Sequence, residues 1–209
     1  MSTVASATTN LPWLWLVSRG SGLVLLVLLT AVVVLGVSTR LGSAPRSLPR
    51  FAVAELHRTL ALFSVAFLVL HVVTAILDPY VAIGWWATVL PFASHYRAAA
   101  LGLGALAVDL GGAVVLSSLA RRHLGYRLWR AVHWLAYLMW PLALVHSLTA
   151  GGDMGLWWVA ALVWGSAGAV ATAVGARVFA KVCNASARTS GERPSSEVQP
   201  LPIGAGRAA

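Results

Sequence analysis

Residues 57–71 read HRTLALFSVAFLVLH: two histidines enclosing thirteen residues, of which only Arg58, Thr59 and Ser64 are polar. Extended to residues 53–76, the stretch meets the requirement of about 20 apolar residues for a helix that crosses a bilayer. It ends at Asp78–Pro79, where proline disfavours helix at the preceding residue. Fourteen residues of helix separate the two imidazoles by about 21 Å along the axis and by roughly 40° in rotation. Both therefore project from one face, one near each membrane surface.

The rest of the chain fits this reading. Of 209 residues, 59% are hydrophobic and 10% charged, against about a quarter charged in a soluble domain. Five segments qualify as spans: residues 14–37, 53–76, 98–119, 128–148 and 156–180. The expected fold is all-α, a polytopic bundle of five transmembrane helices. The formal charge of +9 falls in short loops. Arg40, Arg46 and Arg50 lie in one loop, four arginines in RRHLGYRLWR (121–130), and Arg177 and Lys181 follow the last span. Such a pattern is a topology signal and argues against nucleic acid as the partner. It predicts basic loops and C-terminus in the cytoplasm, the N-terminus outside, and a multi-pass protein of the plasma membrane. Trp13, Trp15, Trp85, Trp86, Trp157 and Trp158 then fall at the outer interface, as an aromatic belt among membrane lipids.

The segment WWATVLPFASHY (85–96) is expected to lie on the outer face. Residues 1–12 form an N-terminal tail without a basic n-region, 13–181 the bundle, and 182–209 a cytoplasmic tail expected to be disordered. The single cysteine, Cys183, excludes an internal disulfide or thiolate cluster within one chain. It is read as a bystander, with acylation as the alternative.

Six histidines occur, and four sit on alternate spans: His57 and His71 on the second, His133 and His146 on the fourth. These spans run parallel, so His133 is level with His57 and His146 with His71. Neutral imidazole is a good axial ligand of heme iron, and two level pairs on facing helices can hold two flat macrocycles at two depths. A single histidine in a membrane helix can equally serve a hydrogen bond to a neighbour; two level pairs are harder to explain so. His95 and His123 lie in loops and are read as solvated. One spacing conflicts: His133 and His146 are thirteen apart, about 220° in a regular helix. Pro141 lies between them, and the expectation is a bend or rewinding near Trp140–Pro141.

These residues resemble the ferric reductase-like transmembrane family over roughly residues 13–180. The carriers are the two histidine spacings and the strings LHRTLAL, LHVVTAILDPY, LPFASHYR and RLWRAVHWLAYLMWPLALVHSLTAG, which look like actinobacterial members. The resemblance implies two hemes b on the pairs His57/His133 and His71/His146, and transmembrane electron transfer as the heme subunit of an oxidoreductase. Many members have six helices and a following flavin and NAD(P)H domain. Here five spans are counted, and no GxGxxG fingerprint in a βαβ setting follows. The expected electron donor is a cytoplasmic reductase or a quinol, and the acceptor an outer-face protein or metal. A heme transport or maturation protein and a non-heme metal carrier are the competing readings.

Four arginines are candidates for heme propionates. Arg19 interrupts the first span near its outer end, with headgroup snorkelling as the alternative. Arg58 and Arg130, together with Arg50, sit level with the inner pair, where ordinary loop charge competes as an explanation. Asp109 falls mid-membrane on the third span, suited to a structural hydrogen bond or a proton relay.

Overall fold

The computed structural model describes residues 13–41, 49–79 and 83–191. They form α1 (Trp13–Leu41), α2 (Arg50–Leu77), α3 (Ala98–Leu119), α4 (Arg121–His133), α5 (Ala136–Ala150) and α6 (Trp157–Gly191). Single 3-10 turns stand at Trp85–Thr88 and Asp153–Gly155, and no strand occurs among the described residues. α1, α2, α3 and α6 are each long and apolar enough to cross a membrane, and α4 with α5, bent by 42°, passes the same test as a pair and makes a fifth if the two count as one span. The all-α membrane bundle expected from the sequence is what forms.

Three boundaries differ from expectation. RRHLGYRLWR, expected as a loop, is helical apart from Gly125, whose φ of 69° and ψ of 155° interrupt it. Its arginines and apolar residues alternate at helical spacing, and only Ala120 separates it from α3. The last helix runs to Gly191, so residues 182–191, expected in a disordered tail, are helical. That stretch contains no proline, and it extends a helix that the apolar span has already nucleated. The N-terminal tail and residues 192–209 lie outside the described residues. The third correction concerns the bend. Pro141 sits inside α5 without breaking it, and the break falls earlier, at Trp134–Leu135.

In chain order the spans build two antiparallel hairpins. α2 packs along α1, α3 packs along α4 and α5, and α6 lies against α1. Lipid is as apolar as leucine, so these contacts rest on close packing and interhelical hydrogen bonds rather than on a hydrophobic drive. Val33, Val37, Trp140 and Val170 make one core cluster, and Leu26, Val159 and Val163 another, both between α1, α5 and α6. Trp140 Nε1 donates across the first cluster to Thr30 Oγ1 at 3.1 Å, a buried contact of the kind worth about 0.6–2 kcal/mol in membranes. Thr30, Ser64 and Thr74 are buried yet satisfied, each hydroxyl donating to the carbonyl four residues earlier.

α2 ends at Leu77 because Asp78 precedes proline and is extended, at φ −70° and ψ 114°. The chain then crosses the end of the bundle through residues 85–96. Phe92, at φ 64°, turns its ring onto Gly102 of α3, where a β-carbon would collide with it. This end carries Trp13, Trp15, Trp85, Trp86, Trp157 and Trp158, all exposed, and is called the tryptophan end below. The opposite, arginine end carries α4. Between the hairpins lies a cavity of about 1250 Å³ that reaches from Trp15 and Asp153 to Arg121 and Arg177.

Candidate functional site

The cavity is walled by apolar side chains of α1, α2, α3 and α5, and all four span histidines line it. Their rings meet in pairs. His57 and His133 have ring centres 6.4 Å apart with planes at 59°, and His71 and His146 have centres 6.3 Å apart at 81°. A metal–imidazole bond is about 2 Å, and the ring centre lies about 1.1 Å behind the ligating nitrogen, so two imidazoles in line on one metal have centres about 6.2 Å apart. Both pairs sit at that separation.

The level pairing on the second span follows from its regular helix. On the fourth span it needs a correction of winding, and the backbone supplies it. Trp134 N–H is shared between Ala131 O at i−3 and Arg130 O at i−4, and Leu135 reaches Val132, Tyr137 reaches Trp134 and Leu138 reaches Leu135, all at i−3. A 3-10 step advances about 120° rather than 100°, so four such steps add about 80° to the 220° of a regular helix. His133 and His146 are thereby brought to within about 60° of one face.

Three of the imidazoles are held by one device. His57 Nδ1 lies 3.0 Å from Val32 O, His71 Nδ1 2.7 Å from Ser18 O, and His146 Nδ1 2.8 Å from Ala100 O. A carbonyl only accepts, so Nδ1 carries the proton and Nε2 keeps its lone pair. That is the tautomer and the second contact expected of a metal-ligating histidine. Four residues beyond each carbonyl stands a glycine. A β-carbon at Gly22 would lie 2.9 Å from His71 Cε1, at Gly104 2.7 Å from His146 Cε1, and at Gly36 3.4 Å from His57 Cε1. Each ring thus rests over a glycine and donates to the carbonyl one turn before it. The composition of the histidine spans did not reveal these glycines. Their signal was in α1, where Gly22 and Gly36 repeat the fourteen-residue spacing of His71 and His57 in the antiparallel sense.

Such donor sets suit a macrocycle. Each pair offers two nitrogens, and no group of three or more His, Cys, Asp or Glu that could hold a bare metal ion occurs among the described residues. The remaining equatorial ligands of an iron would have to come from the bound group itself, and the cavity supplies apolar room for it. The residues fit heme.

The other candidates are distributed as follows. Arg19 lines the tryptophan end of the cavity, lies over the Trp15 ring at 5.0 Å and is ion-paired with Asp153 at 2.9 Å. Its charge therefore joins α1 to the α5–α6 connection. Arg97, not singled out in the sequence, also lines that end and donates to Thr149 O and Ala150 O, both at 3.2 Å, capping the carbonyl end of α5. Arg58 and Arg130 are exposed and line the arginine end; Arg130 lies over Tyr126 at 5.9 Å. The side chain of Arg50 lies outside the described residues. His95 and His123 are exposed and away from the cavity lining. Asp109 is exposed on the flank of α3 and does not line the cavity. Cys183 is exposed on α6.

The description "Ferric reductase like transmembrane component" matches residues 21–145, more than half of the chain and including His57, His71 and His133. No curated protein and no solved structure matches significantly. The chain belongs to the ferric reductase-like transmembrane family, as a multi-pass membrane component of electron transfer.

Proposed function

We propose that the chain is a diheme b-type cytochrome that carries electrons across the plasma membrane as the heme subunit of an oxidoreductase. The observation that carries this reading is the two imidazole pairs at 6.4 and 6.3 Å in one continuous apolar cavity. His57 and His133 would hold one heme at the arginine end, and His71 and His146 the other at the tryptophan end. Heme so bound supplies a one-electron iron couple without an open coordination position.

The chain's own residues do the remaining work. The carbonyls of Val32, Ser18 and Ala100 hold three imidazoles by Nδ1–H and aim Nε2 at the iron position. The apolar wall excludes water, which limits reorganisation around a changing charge. Fourteen residues of α2 set the two positions about 21 Å apart along the membrane normal. Arg58 and Arg130 at one end and Arg19 at the other stand where propionates of the two hemes would reach the surface. The arginine end faces the cytoplasm by its Lys/Arg excess. There a reductase would deliver electrons, and at the tryptophan end an acceptor protein or metal would remove them. A quinol donor is the alternative source of electrons.

A reduced-minus-oxidised spectrum of the purified protein tests this, with two hemes per chain expected. His71→Ala and His146→Ala should each remove the same heme, and His57→Ala and His133→Ala the other. If His71→Ala and His146→Ala removed different hemes, the pairing would be wrong. Loss of heme on washing, with a mixed spin state, would favour heme transport or maturation instead.

A further inference from the structure

The two hairpins support their histidines alike at the tryptophan end and differently at the arginine end. On α1 the supports repeat every fourteen residues: Ser18 and Gly22 for His71, Val32 and Gly36 for His57. On α3 the first set is Ala100 and Gly104, for His146. Fourteen residues further on stand Val114 and Ser118, where the same device would meet His133. The carbonyl of Val114 instead accepts from Ser118 Oγ at 2.7 Å and from Ser117 Oγ at 3.0 Å. A hydroxyl thus stands where the other three sites have a bare glycine.

That hydroxyl has a second contact. Trp129 Nε1 donates to Ser118 Oγ at 3.4 Å. The indole stacks on His133, with ring centres 5.2 Å apart and planes at 29°, and the Arg121 guanidinium lies over the Trp129 ring at 4.5 Å. Trp129 and His133 are four apart on α4, the spacing that puts side chains one above the other. His133 is also the last residue of α4, at the edge of the rewound turn.

We propose that Trp129, set by Ser118 and by the Arg121 guanidinium, is the positioning residue that fixes the ring plane of His133, and so tunes the arginine-end heme separately from the other. The inference rests on the diheme reading above. The angle between two axial imidazole planes governs the splitting of the iron d orbitals, so a change in the His133 ring plane changes the low-spin electron paramagnetic resonance signal of its own heme and that heme's midpoint potential.

The test uses the full chain with both hemes loaded. In Trp129→Leu, one of the two low-spin signals should shift its largest g value, and one of two potentials should move. Both should belong to the heme that His133→Ala removes, with two hemes per chain retained. Trp129→Phe, which keeps a stacking ring, should restore both readouts. Ser118→Val removes the acceptor for the indole from an exposed position and should give a smaller shift of the same heme, so it decides the matter if Trp129→Leu does not fold. An unchanged signal and potential in the folded variants would overturn the proposal, as would equal changes in both hemes. Failure of the diheme reading looks different, since the unsubstituted protein would then lack two hemes or His133→Ala would remove neither.

Discussion

At the scale of single residues, three of the four span histidines depend on neighbours that have no functional groups. Gly22 and Gly104 leave less room for a β-carbon than Gly36 does, with approaches to the ring of 2.9 and 2.7 Å against 3.4 Å. Overpacking costs about 1–3 kcal/mol, and each 1.4 kcal/mol is a factor of ten. Gly22→Ala and Gly104→Ala should therefore weaken retention of the tryptophan-end heme roughly tenfold while leaving the other in place. Gly36→Ala should cost the arginine-end heme much less. Heme-to-protein ratios after dilution into a competing heme scavenger would check this, and equal losses in all three would sink it. The histidines themselves were legible because imidazoles are rare in apolar spans. The carbonyls were not, since every residue has one and only packing selects Ser18, Val32 and Ala100.

At the scale of elements, spans announce themselves by length and apolarity, but winding does not. Residues 98–119 are read from sequence and observed as the same helix, α3. The fourth span was read as one helix with trouble at Pro141, whereas four i−3 hydrogen bonds around Trp134–Leu135 carry the rewinding. The proline frees the carbonyl of Tyr137 and crowds the turn before it, so its effect lies on its N-terminal side. Local sequence marks the breaker but not how neighbouring turns share the strain. α3 offers a separate test. Asp109 is exposed at its midpoint, and a carboxylate at the bilayer centre costs about 2.5–3.5 kcal/mol on insertion scales. Asp109→Leu should raise the thermal midpoint in lipid nanodiscs and retain both hemes. A lower midpoint would show that the carboxylate is held by contacts worth more than its desolvation.

At the scale of the whole molecule, the two hairpins meet through α1, α5 and α6 and stand apart where the histidines face each other. A bundle with a cavity of about 1250 Å³ through it lacks packing along that surface. A group that binds only the folded state stabilises it by mass action, about 2.7 kcal/mol at a hundredfold excess over its dissociation constant. Protein made under heme starvation should therefore unfold at a lower temperature than loaded protein, and added hemin should recover the difference. Identical melting curves would count against the cavity as the heme site.

The sequence by itself determined the membrane class, the five spans, and which four histidines share two depths, because hydropathy and the 1.5 Å rise of a helix are local properties. Only the tertiary structure decided that the rings of each pair stand 6.3–6.4 Å apart, which carbonyls and glycines hold them, and that Arg19 is joined to Asp153. Those facts depend on contacts between residues as far apart in the chain as 18 and 71, or 100 and 146, and periodicity within one helix carries no record of its neighbour.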